Sequence, residues 1–162
     1  MSSPTTSPRP AFRLAIIDRV CFVRWYDVVS QEAIDEVLRA IEAAPTGKPR
    51  YYCSLSDENI PPPTLERQKL MVPFAIALLR SVSEIHIIFE GAGMRHAVTR
   101  MSMRTLVNTA RRARSLFGVE IADAAKHVFL HVGVSQFLQQ VRHELRASEA
   151  EILRALAAEG LL

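Results

Sequence analysis

The chain has 162 residues, 49% hydrophobic and 23% charged, which is globular composition and excludes both a disordered and a fibrous protein. That length suits one domain with a proper core and leaves little room for a second. The net charge of +3 is uneven: residues 61–118 carry 9 basic and 3 acidic side chains, and the segments on either side are slightly acidic.

No apolar run approaches the roughly 18 residues of a membrane span, and Met1–Pro10 lacks the apolar core of a secretion signal. Cys21 and Cys53 sit inside apolar segments. The expectation is a cytoplasmic protein with two buried, reduced thiols.

Residues 1–10, rich in Pro, Ser and Thr, read as a disordered arm. Phe12–Ile17 and Val20–Val29 are β-branched and aromatic with only Asp18-Arg19 between them, which predicts an antiparallel hairpin. Ser30 is a natural N-cap for a helix carrying Ala33, Ile34, Val37, Leu38 and Ile41, stopped by Pro45-Thr46-Gly47. Arg50–Leu55 is a third strand. Three prolines then lead to Thr64, the expected cap of a helix reaching about Val82, kinked or broken at Pro73.

Glu84–Phe89 is a fourth strand, and Gly91-Ala92-Gly93 turns it into a long helix over 94–117. The piece Val119–Ile121 is ambiguous. His127–Val132 is the last strand, with a helix from Gly133 or Ser135 to about Leu145. Ser148-Glu149-Ala150-Glu151 has capping-box form and opens an amphipathic helix over 147–162, its stripe free to pack on its own domain, a partner or a second copy.

A hairpin followed by alternating helices and strands resembles the STAS domain of the anti-sigma-factor antagonists, closest to the SpoIIAA-like or STAS/Sec14 group of small bacterial proteins. The likeness spans residues 11–146. Three stretches carry it: Tyr51-Tyr52-Cys53-Ser54-Leu55-Ser56, the strand Ile85–Phe89 running into a small-residue helix start, and His127–Val132 followed by Ser135-Gln136-Phe137-Leu138. The resemblance implies a mixed-sheet α/β domain and a non-enzymatic regulatory or adaptor role through protein–protein binding. It departs at the phosphorylated loop, where the antagonists carry Asp-Ser. Here the nearest hydroxyls are Ser54, Ser56 and Thr64, and the ordinary N-cap is the better reading of Thr64.

No residue pattern supplies a nucleophile with its base, a phosphate loop or metal-spaced ligands, so no catalytic residue, metal or cofactor is assigned. His127 and His131 stand roughly 13 Å apart on a strand, too far to share a metal. Two surfaces are candidates for a partner. The first joins the arginine stripe Arg100, Arg104, Arg111 and Arg114 of the long helix to Ser56 and Thr64, and suits carboxylates or phosphates of an acidic protein. The second is a sheet face displaying Arg24, Tyr26, Tyr52, His86, His127, Phe129 and His131, exposed if helices cover only the other face. The alternative role is a carrier of a lipid or other hydrophobic molecule in a cavity near Pro73. Nucleic-acid binding through the arginine helix is disfavoured by the low net charge.

Overall fold

The computed structural model describes residues 10–57, 60–61, 64–91, 93–112 and 119–162. β1 (Phe12–Ile17) and β2 (Val20–Trp25) pair antiparallel from Phe12↔Trp25 to Ile17↔Val20, the hairpin expected around Asp18-Arg19, with β2 ending at Trp25 and not at Val29. Asp18 turns the hairpin at φ +56°, a left-handed conformation that Asp tolerates better than most side chains. Its carboxylate also accepts the backbone N–H groups of Arg146 and Ala147, tying the turn to the distant C-terminal segment.

β3 (Tyr51–Ser56), β4 (Glu84–Phe89) and β5 (Val128–His131) continue the sheet in parallel, in the order β1-β2-β3-β4-β5. Among the described residues six α-helices accompany it: α1 (Gln31–Glu42), α2 (Leu65–Leu78), α3 (Met94–Arg112), α4 (Val119–Ala125), α5 (Val134–Val141) and α6 (Glu149–Ala158). The chain is thus α/β with a mixed sheet and an extra C-terminal helix.

The strand order decides which face each helix takes. Parallel strands laid down in one direction with right-handed crossovers place every connecting helix on the same side. Accordingly Ala33, Ile34, Val37 and Ile41 of α1, Phe74 and Leu78 of α2, and Val107 of α3 pack with Cys21, Val23, Trp25, Tyr52, Ile85 and Val128 in a first core. The other face would then stand open, and α5 and α6 close it. Phe137, Leu138, Ile152, Leu156 and the trailing Leu161 cover Phe22, Tyr51, Cys53, Leu55 and Ile88 in a second core.

Several boundaries differ from expectation. α2 runs unbroken through Pro73, which is exposed. It ends at Leu78, short of Val82. The ambiguous segment is the short helix α4. α5 ends at Val141 and a 3-10 turn, Arg142–Glu144, follows it. The caps match the sequence reading: Ser30 accepts from the Ala33 N–H, Thr64 from the Arg67 N–H, and Ser148 with Glu151 forms the capping box.

Candidate functional site

On the first face, β3 presents Tyr52, Ser54 and Ser56 in succession, a large side chain and then two small ones. Ser54 lies between Val23 and Ile87, and Ser56 between Trp25 and Phe89. The apolar floor is therefore notched where the two serines stand. α2 and α3 bridge the notch without filling it, leaving a cavity of about 140 Å³ roofed by Met71, Phe74 and Met103. Its location is the carboxyl end of parallel strands, the usual ligand position in open α/β sheets.

The lining is aromatic and aliphatic, with few polar atoms. The Trp25 indole N–H donates to the Tyr52 hydroxyl at 3.3 Å. Phe74 meets Tyr52 edge-on at 5.9 Å. Burial raises the Tyr52 pKa, so the phenol stays protonated. The charged residues Asp27, Asp57 and Arg67 come from the loop after β2, the end of β3 and the first turn of α2, and they stand half-buried or exposed at the rim.

The thiols offer no chemistry. Cys21 and Cys53 are buried and unbridged, and burial pushes Cys21 up to about 12 and Cys53 well above its usual value. Among the described residues no three His, Cys, Asp or Glu side chains gather as a metal site requires. A second, wider cavity at the opposite end is lined by Arg19, Lys48, Arg50 and Arg146. Two of these cations are already paired, Lys48 with Glu42 and Arg50 with Glu144.

The arginine stripe divides on inspection. Arg100 donates to the carbonyls of Phe89 and Gly91, holding the turn after β4. Arg111 donates to the carbonyls of Ala125 and Val128 and lies over the Phe129 ring, covering the outer edge of β5. Arg104 is exposed and has no partner among the described residues, while Arg114 lies outside them. Ser56 and Arg100 do reach one end of the sheet, since Ser56 pairs in register with Phe89. Thr64 caps α2.

The second candidate surface is not an open face. His86 and His131 are buried beneath Phe137 of α5. Tyr52 lies on the opposite side of the sheet, in the first core. Arg24 pairs with Glu90 at 3.0 Å and donates to the Leu161 carbonyl, and the Tyr26 hydroxyl donates to the Gly160 carbonyl, so both hold the C-terminal tail. Phe129 is half-buried against His86, and His127 alone of the seven is well exposed. The reason is the strand order: it leaves a bare face that only the terminal helices are long and apolar enough to cover.

The sequence reading named Tyr52, Ser54 and Ser56 for other roles and offered a cavity near Pro73, while the remaining lining residues escaped it, although a signal was present. Serines alternating along a strand whose neighbours on that face are Val, Trp, Ile and Phe mark either a close approach or a gap. No family model matches the chain, and neither a curated protein nor a solved structure matches it. No helix among the described residues is long and apolar enough to cross a membrane.

Proposed function

We propose that the chain is a binding module for a small, largely apolar molecule, held in the cavity between β2–β4 and helices α2 and α3. The observation that carries this reading is the apolar cavity itself, at the carboxyl ends of parallel strands and notched by Ser54 and Ser56. Its volume sets the class of ligand. An apolar hole of about 150 Å³ accepts a single benzene ring. A cavity of about 140 Å³ therefore suits one ring or a short branched chain, and is too small for a diacyl lipid. The test is native mass spectrometry of the purified chain, with thermal melts in the presence of toluene. A rise in melting temperature that disappears in Ala75→Leu, which fills the cavity from α2, supports the reading; no rise in the wild type rejects it.

A second reading, an adaptor that binds another protein, has its own support on α3. Met94, Val98 and Met101 are 85%, 53% and 70% exposed, and their spacing puts them on one side of the helix, opposite Thr99 and Met103. Contiguous exposed apolar side chains at helical spacing suit a protein interface. Capture of a stoichiometric partner that is lost in Met94→Glu with Met101→Glu would favour this role. The STAS likeness stays a proposal resting on element order and assigns no residue a role.

A further inference from the structure

We propose that the molecule bound in this cavity is a single-ring aromatic carrying a hydroxyl group, its ring among Trp25, Tyr52 and Phe74 and its hydroxyl on Ser54. This rests on the small-molecule reading above and adds the chemistry of the ligand. The size follows from the cavity volume of about 140 Å³.

The ring follows from the walls. Trp25, Tyr52 and Phe89 line the space from the sheet, with the Phe74 ring and the thioethers of Met71 and Met103 across from them. Aromatic edges and polarisable sulfur both favour a flat π-system over a saturated chain of equal volume.

The hydroxyl follows from Ser54. Ser54 lines the cavity, and its hydroxyl can offer a ligand either a donor or a lone pair. Which of these it offers depends on how the O–H is turned. A ligand hydroxyl donates and accepts, so it satisfies Ser54 in either state. A charged ligand is disfavoured, because Asp27, Asp57 and Arg67 stay at the rim and an ion drawn inside loses its water without a counter-charge.

Trp25 is the chain's only tryptophan and lines the cavity, so its fluorescence reports occupancy directly. The full chain and Ser54→Ala are titrated with phenol, with toluene and with benzoate. The expected result is binding of phenol and toluene but not benzoate, with phenol weakened about fivefold in Ser54→Ala and toluene unchanged or tighter. Equal phenol affinity in wild type and Ser54→Ala overturns the hydroxyl assignment while leaving the cavity reading intact. Tighter binding of benzoate than of phenol overturns the neutral class. Failure of every probe on the wild type sinks the cavity reading and this inference with it. If Ser54→Ala takes up neither neutral probe, the wild type is titrated with anisole, the methyl ether of phenol. A phenol-to-anisole affinity ratio of one or less then overturns the assignment.

Discussion

Nδ1 of His86 lies 2.8 Å from Nε2 of His131, with both rings buried, stacked on each other and covered by Phe137. At 3.0 Å, Nε2 of His86 meets the carboxylate of Glu84. With both rings neutral, one proton order satisfies both contacts: His131 Nε2–H donates to His86 Nδ1, and His86 Nε2–H donates to Glu84. A pair of this kind favours the neutral imidazoles, and burial holds His86 down at about 3, with the His131 charge adding to the effect; burial lowers His131 too.

Stability should therefore fall with acid before the carboxylates protonate. Above pH 6.5 these histidines are neutral whether the chain is folded or not. Below it the unfolded chain takes up protons that the folded chain refuses, so stability is lost progressively from 6.5 toward about 3. Each histidine that stays neutral costs up to about 1.4 kcal/mol per pH unit across that window. Urea denaturation at pH 7.5, 6 and 5 measures it. Equal stability at pH 7.5 and 5 would refute the assignment.

The two arginines at the start of the stripe should behave differently. Arg100→Ala removes two hydrogen bonds to backbone carbonyls and should destabilise by about 1–2 kcal/mol. Arg104→Ala, at an exposed position with no partner among the described residues, should stay within about 0.5 kcal/mol of wild type. Melting curves of the two single variants decide the point. An equal effect of both would mean that Arg104 also serves the fold.

The terminal helix should behave as part of the core. Leu156 is fully buried against the second face, so Leu156→Ala should cost about 2–5 kcal/mol. Ser148→Ala, which removes the hydroxyl half of the capping box and leaves the Ser148 N–H donating to Glu151, should cost about 1 kcal/mol. Chemical denaturation reads both, and a single cooperative transition is expected. A separate early transition for the C-terminal segment would contradict its integration.

Asp18 gives an ordered series. Its backbone is left-handed and its carboxylate holds two N–H groups of the C-terminal segment. Asp18→Asn keeps the conformation and an acceptor, Asp18→Gly keeps the conformation alone, and Asp18→Ala keeps neither. Stability should fall in that order, with Ala about 1 kcal/mol below Gly. Ala as stable as Gly would show that the backbone conformation is not the constraint.

By itself, the sequence determined the local elements. The pattern of β-branched residues on either side of Asp18-Arg19, the Ser30, Thr64 and Ser148 caps and the buried positions of α1 all depend on interactions within a few residues, so they are legible from spacing. Only the tertiary structure decided which way each strand faces and what covers it. A one-residue difference in facing moves Tyr52 from the side of His86 to the side of Trp25, and nothing within β3 distinguishes the two. Arg24, Tyr26, Arg100 and Arg111 likewise read as surface charge or aromatic display until the carbonyls of Leu161, Gly160, Phe89 and Val128 arrive beside them. The cavity belongs to the same class. It is a volume left between Ser54 on one strand and Phe74 and Met103 on two helices, and packing between elements distant in sequence is what leaves it unfilled.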